Sequence, residues 1–149
     1  MTRTFETRAQ RRARCAPEVV IARIRDASTW PKWQPEIVSA DGPSTLSPGD
    51  VVRGRAKMLG FHVDGHSTTT AEGSTHYEED VVVGVRMRVR YEVEPAADGA
   101  LVTARLFADL PGGLAGRLVS FFLRWRLGHM QRTALKRLVA QSEEDDSAS

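Results

Sequence analysis

Apolar and polar residues alternate along most of the chain, and a period of two is typical of β-strands with one buried face. The alternation is visible at 3–15 and is clearest at 85–95, where arginine or glutamate stands between apolar residues. Further segments with strand character lie at 49–59, 62–72, 75–84 and 101–110. Turn sequences such as SPGD and AADGA separate these segments, so the pattern predicts short connections between consecutive strands.

One segment near the start has helical spacing instead. In APEVVIARIRDAS, Pro17 suits the first helical turn, and Val20, Ile21 and Ile24 form an apolar stripe. Pro31 ends this helix, because the residue before a proline avoids helical angles. The following TWPKWQPEI therefore holds only a short second helix.

The C-terminal part of the chain predicts one long helix. After the break PGG, residues 114–141 contain no proline. We expect the acidic and small polar residues at 142–149 to form a disordered tail. Residues 1–141 then make a single domain, a length that one core can stabilise. Strands joined by short turns favour an antiparallel meander, and a long helix covering its apolar face gives an α+β protein of two layers.

This order of elements, with the pattern W-x-x-W-x-P after the first helix, resembles the START/polyketide cyclase-dehydrase superfamily, also called SRPBCC or START-like proteins. The resemblance rests on APEVVIARIRDASTWPKWQPEI, SPGD, VEPAADGALVTARL and LKRLVAQSE. It implies a helix-grip fold, in which a curved antiparallel sheet of six or seven strands wraps around the C-terminal helix and two short helices follow strand 1. It also implies an elongated cavity for lipids, polyketides or other apolar molecules.

Large side chains on the faces expected to point inward are the candidate ligand-binding residues. They are Trp30, Trp33, Met58, Met87, Tyr91, Leu106, Leu118, Phe122, Trp125 and His129. In such a fold the two tryptophans of the short helices would close one end of the sheet. They are then core residues, and at least one of them can also stack on a ligand.

The long helix carries two apolar stripes. Leu118, Phe121, Phe122, Trp125 and His129 form the first, which we expect to cover the cavity. Val119, Leu123, Leu127 and Met130 form the second, on nearly the opposite side. The second stripe is either covered by the short helices or exposed beside arginines. If exposed, it suits a homodimer or a transient contact with a membrane surface.

Two inward positions are candidates for acid–base chemistry. If Val81 and Val83 point inward, Tyr77 and Glu79 do so as well, and burial raises the pKa of a carboxyl group. The pair can then act as a general acid and base, or Tyr77 can anchor the rim while Glu79 bonds a neighbouring strand. Arg11 has inward parity on the first strand. It either pairs with Glu79 or a ligand oxygen, or it turns into solvent.

A weak candidate for a metal site lies in HVDGH. His62, Asp64 and His66 share one face of a strand, and two imidazoles with a carboxylate can bind a metal ion. Phe61 and Val63 are the natural inward residues of this strand, however. The sequence therefore favours a polar strand surface, with no metal and no cofactor.

Charge and cysteine content narrow the class of protein. The net charge is +2, and the arginines at 86–90 are not interleaved with aromatic residues that would stack on bases. We therefore expect no nucleic-acid partner. Cys15 is the only cysteine, and the N-terminal residues lack an apolar signal core, so the sequence predicts a cytoplasmic protein.

Three functions remain open from the sequence. The chain binds a small hydrophobic or amphipathic molecule in the cavity, or it is a polyketide cyclase/aromatase or dehydratase-like enzyme that uses cavity acid–base residues. The third alternative is a module that contacts proteins or membranes through the long helix.

Overall fold

Seven strands and three α-helices lie within residues 2–58, 60–111 and 113–148, which the computed structural model of the chain describes. Side chains are described in these ranges apart from 2, 3, 58, 110, 111, 113–116 and 118–120. The elements are β1 (Thr2–Ala13), α1 (Pro17–Ile24), a 3₁₀ turn (Ala27–Thr29), α2 (Trp30–Trp33), β2 (Ile37–Asp41), β3 (Val51–Met58), β4 (Phe61–Glu72), β5 (His76–Val83), β6 (Val85–Ala96), β7 (Gly99–Pro111) and α3 (Gly113–Ala148).

The strands form one antiparallel sheet in the order β1-β7-β6-β5-β4-β3-β2. Neighbours from β2 to β7 are consecutive in the chain, as short turns require. β1 instead pairs with β7, the last strand of the chain, and Phe5 of β1 lies opposite Ala108 of β7. The predicted α+β helix-grip architecture is therefore confirmed, with seven strands and two short helices after strand 1.

The long helix lies across β1 and β7 and is fixed there by Gln131. Its side-chain oxygen accepts a 2.8 Å hydrogen bond from the Thr7 hydroxyl, and its side-chain nitrogen donates a 3.0 Å bond to the Ala104 carbonyl. These two contacts join the helix to both strands at once. They therefore hold the face of α3 that carries Gln131 against the sheet.

The sequence-based choice between the two stripes of α3 was wrong. Leu123 and Leu127 are buried against Phe5, whereas Phe122 and Trp125 are 46% and 60% exposed. Both stripes have helical spacing in the first half of the helix. The buried stripe alone continues as apolar residues through the second half. It runs through Leu127, Leu135, Leu138 and Val139, all of them buried.

The structure also corrects the prediction for the C-terminal tail. The helix continues through 142–148 instead of ending at 141. Arg23 of α1 makes two hydrogen bonds to the Asp145 carboxylate, at 2.8 and 2.7 Å, and a third to Gln141 at 2.7 Å. Asp145 therefore has a basic partner in the folded chain, which its local composition could not show.

Candidate functional site

A cavity lies between the inner face of the sheet and α3. About 150 Å³ of its interior is open to water-sized molecules, about ten times the space that one buried water needs. Residues of β2, β3 and β4, among them Ser39, Gly54 and Ser67, form one part of its lining. Tyr91 of β6 and Leu135 of α3, which are both buried, form another part.

The wall is mainly apolar because the inward positions of successive strands carry apolar side chains. Val81 and Val83 of β5, Met87 and Val89 of β6, and Ala104 and Leu106 of β7 all line it. From α3, the lining includes Leu127, Met130, Gln131, Ala134 and Leu135. The small side chains of Ala104 and Ala134 leave space that larger residues would fill.

Among the described residues that line the cavity, one carboxyl group is buried. Glu79 lines the cavity and is only 4% exposed. Its Oε2 accepts a 2.7 Å hydrogen bond from the Ser67 hydroxyl and a 3.1 Å bond from the Tyr77 hydroxyl. Because Tyr77 donates to Glu79, its oxygen can accept from the Thr69 hydroxyl, which lies 3.1 Å away. Four polar side chains from β4 and β5 thus form one buried network.

The second carboxyl oxygen of Glu79 is the free end of this network. Among the described residues, both hydrogen bonds to the Glu79 carboxyl go to Oε2 and none goes to Oε1. A proton on this carboxyl belongs on Oε1, because Oε2 already accepts two hydrogen bonds. Oε1 can therefore donate a hydrogen bond when Glu79 is neutral and accept one when it is charged.

Burial places the titration of this group near neutral pH. It raises the pKa of Glu79 to about 7, although the hydrogen bonds from Ser67 and Tyr77 act in the opposite direction. Burial also raises the pKa values of Tyr77 and Tyr91, and the negative charge of Glu79 adds to both effects. Both tyrosines therefore remain protonated at neutral pH, whereas Glu79 can exchange a proton.

The two tryptophans of the short helices have different positions. Trp30 lines the cavity, and its ring nitrogen donates a 2.8 Å hydrogen bond to the Ile24 carbonyl. Trp33 is 1% exposed and meets Tyr91 edge to face, with ring centroids 6.0 Å apart. Trp33 therefore supports a wall residue, while Trp30 is itself part of the wall.

The other predicted ligand-binding residues divide into three groups. Met87, Tyr91 and Leu106 line the cavity as predicted. The side chains of Met58 and Leu118 are not among the side chains that the structure describes. The cavity assignment of Phe122, Trp125 and His129 is wrong, because all three are exposed on the outer side of α3.

Of the three candidates for catalysis, only the pair on β5 comes together. Tyr77 and Glu79 are joined as described above, and Glu79 faces the cavity. Arg11 is exposed, although its parity pointed inward, so it does not pair with Glu79. Sequence reasoning missed Ser67 and Thr69, since only the pairing of β4 with β5 brings their hydroxyl groups to this site.

The weak metal candidate is placed on the outer face of β4, where His62, Asp64 and His66 are all exposed. Asp64 instead receives a 3.1 Å hydrogen bond from Arg55 on the neighbouring strand. The part of the chain that the structure describes contains no group of three or more side chains suited to hold a metal ion.

An ion pair beside the cavity joins α3 to the segment that precedes β2. Arg126 of α3 lies 3.6 Å from the carboxylate of Glu36, which precedes β2 and lines the cavity. Sequence reasoning missed this contact because the two residues are far apart in the chain. Within the described residues, no helix has the length and apolarity needed to cross a membrane.

An antiparallel sheet that grips a long helix around an apolar cavity defines the helix-grip class of proteins. The sequence profile of one family of this class, described as "Polyketide cyclase / dehydrase and lipid transport", matches residues 4–143. The chain therefore belongs to that family. A search of curated proteins found no match.

Solved structures support the fold. The di-domain ARO/CYC BexL from the BE-7585A biosynthetic pathway is 17% identical with a TM-score of 0.77, over 94% of this chain and 50% of BexL. This chain therefore spans about half the length of that protein. TTHA0849 from Thermus thermophilus is 18% identical with a TM-score of 0.80, over 93% of this chain and 97% of its own. KanY is 20% identical with a TM-score of 0.77, over 95% of this chain and 99% of KanY.

Proposed function

We propose that the cavity binds one small amphipathic molecule, largely apolar, whose polar group hydrogen-bonds to Glu79. The observation that carries this proposal is the buried carboxyl group of Glu79, which faces a cavity whose described lining is mainly apolar. Apolar contact supplies affinity without direction, at about 25 cal/mol per Å² of apolar surface removed from water. A polar group with a fixed position supplies orientation.

The arrangement around Glu79 supports a binding role over a purely structural one. Removing a carboxyl group from water is costly, and Ser67 and Tyr77 satisfy only one of its two oxygens. A ligand with a hydroxyl or carbonyl group near one end would satisfy Oε1. A neutral Glu79 donates to a carbonyl, and a charged Glu79 accepts from a hydroxyl.

A cyclase or dehydratase-like enzyme is the second candidate function, and the position of Glu79 favours it specifically. A general acid or base needs a pKa near the working pH and contact with the substrate, and this carboxyl has a pKa of about 7 beside the cavity. Glu79 would then take a proton from a carbon next to a ligand carbonyl, or return one to an oxygen, through Oε1. Tyr77 would hold the carboxyl in place through its hydrogen bond to Oε2.

The binding proposal is tested by filling the cavity. Ala134 lines it, whereas Ala140 is exposed on the same helix, so Ala134→Phe and Ala140→Phe make the same chemical change on two faces. Native mass spectrometry with a panel of fatty acids and aromatic polyketides should detect binding by the parent protein and by Ala140→Phe. Ala134→Phe should lose it while keeping a parent-like circular dichroism spectrum. Equal binding by all three proteins, or by none, would contradict the proposal.

Glu79→Gln separates the two functions. Glutamine keeps the shape and the hydrogen bonds to Ser67 and Tyr77, but it cannot exchange a proton at neutral pH. A binding protein should retain its ligand with at most about a tenfold change in affinity, the equivalent of one hydrogen bond. An enzyme should bind its substrate and lose turnover by about 100-fold or more.

A further inference from the structure

Three aromatic side chains lie on the outer face of α3 without protein cover. Phe121, Phe122 and Trp125 are 76%, 46% and 60% exposed. Phe122 packs loosely on Trp125, with centroids 6.2 Å apart, and Trp125 stacks on the exposed His129 at the same separation. We call Phe121, Phe122 and Trp125 the aromatic patch. Contiguous exposed apolar surface of this kind marks an interaction site in water-soluble folds.

The charged residues of α3 between 113 and 141 all have the same sign. The exposed outer face continues beyond Trp125 through Arg132 and Lys136, seven and eleven residues along, and Arg117 is exposed one turn before Phe121. In the sequence, 113–141 contains six arginines and lysines and no acidic residue. The face therefore combines bulky aromatic side chains with a row of cations.

We propose that this face docks on the surface of a lipid bilayer that contains anionic lipids. Aromatic rings insert at the level of the headgroups, and the flanking cations pair with lipid phosphates, each contributing about 1 kcal/mol near an anionic surface. No helix of the described chain spans a membrane, so the contact is peripheral and reversible. The proposal is independent of what the cavity binds, because the patch faces away from it.

A bilayer fits these features better than a second copy of the chain. A second copy that docked through the same stretch, 113–141, would add only arginines and lysines and no acidic residue. An anionic bilayer supplies the opposite charge along the whole face. Charge attraction without insertion would not need the three aromatic rings.

Sedimentation with vesicles tests the proposal on the full-length protein. The protein should bind vesicles of phosphatidylcholine with phosphatidylglycerol and should bind pure phosphatidylcholine weakly. Trp125→Ser and Phe121→Ser should each lower the affinity for anionic vesicles by about tenfold or more, the loss expected for one inserted aromatic side chain. Phe61→Ser is the matched control, because Phe61 is 74% exposed on β4, and it should leave binding unchanged.

Fluorescence provides a second readout. Trp30 and Trp33 are buried, so a blue shift on addition of anionic vesicles reports Trp125, and the Trp125→Ser protein should not show it. Failure of the parent protein to bind anionic vesicles would overturn the proposal. So would binding that Arg132→Glu abolishes but Trp125→Ser leaves unchanged, since that pattern means charge attraction alone. A concentration-dependent dimer that Trp125→Ser disrupts would assign the patch to a second copy instead.

Discussion

Ser67 of β4 donates a 2.7 Å hydrogen bond to Glu79 of β5, and the two side chains are buried together on the cavity face of the sheet. Ser67 lies directly opposite Val81, so it reaches Glu79 diagonally across the strand pair. The antiparallel register thus creates a polar site from two strands whose sequences separately show only alternating residues. Its single unoccupied oxygen is the feature on which both candidate functions depend.

Burial of Glu79 should make the stability of the protein depend on pH. The group has a pKa of about 7 in the folded chain and about 4.5 as its ordinary value. Between these values the unfolded chain loses its proton first, so the free energy of unfolding falls as pH rises from about 4.5 to about 7. The loss from this one group is at most about 3 kcal/mol.

Urea titrations of the parent protein and Glu79→Gln from pH 4 to pH 8 measure this effect. Other groups titrate equally in both proteins, so the difference between their free energies of unfolding isolates Glu79. Glu79→Gln should gain stability relative to the parent as pH rises through this window. A difference that stays constant over the whole range would mean that Glu79 is ionised at its ordinary pKa.

The sequence predicted this site better than it predicted the helix above it. Tyr77 and Glu79 stand two residues apart on a strand, and alternation alone assigns both to one face. Val81 and Val83 fix which face is buried, so the two polar residues follow them inward. The prediction succeeded because a strand has only two faces and one of them was clearly apolar.

The prediction for the buried face of α3 failed for the opposite reason. A helix presents a continuous range of faces, and the first half of α3 has apolar residues on two of them. Phe122 and Trp125 have larger side chains than Leu123 and Leu127, yet the leucines are buried. The choice depends on long-range contacts such as the hydrogen bonds of Gln131 to β1 and β7. The first half of the helix does not by itself contain that information.

Trp33 and Trp125 should differ sharply in their contribution to stability. Trp33 is 1% exposed and packs against Tyr91, so Trp33→Ala leaves a large cavity and should lower the free energy of unfolding by about 3–5 kcal/mol. Trp125 is 60% exposed, and Trp125→Ala should change it by about 0.5 kcal/mol or less. Urea denaturation followed by far-ultraviolet circular dichroism checks both. Similar losses in the two variants would refute the placement of α3.

The pair of Arg23 with Asp145 should hold the last turns of α3 against α1. The hydrogen bonds from Arg23 lower the pKa of Asp145, so this pair stabilises the fold above the ordinary pKa of about 3.8 and ceases to do so as pH falls through the lower folded value. Asp145 is 45% exposed, which limits the contribution to about 1 kcal/mol or less.

Amide hydrogen exchange tests this contact locally, because a contribution of this size is hard to resolve in the free energy of global unfolding. Asp145→Asn should speed amide exchange in 142–148 and leave 121–140 unchanged, because only the end of the helix loses its partner. Glu144→Gln is the matched control, since it removes one negative charge from an exposed neighbour. Fast exchange of 142–148 in the parent protein would instead support the disordered tail that the composition indicates.

Cys15 should react slowly with alkylating reagents in the folded protein. Burial raises the pKa of its thiol to about 11, and the charges of Asp146, Glu143 and Asp145 add to the effect. The ordinary pKa of a thiol is 9.0, so this shift lowers the fraction of reactive thiolate about 100-fold near neutral pH. Limited access to a side chain that is 4% exposed lowers the rate further.

Mass spectrometry after iodoacetamide treatment should show little modification in buffer and complete modification in urea. A rate in buffer equal to that of a free cysteine peptide would show that the junction between β1 and α1 opens readily.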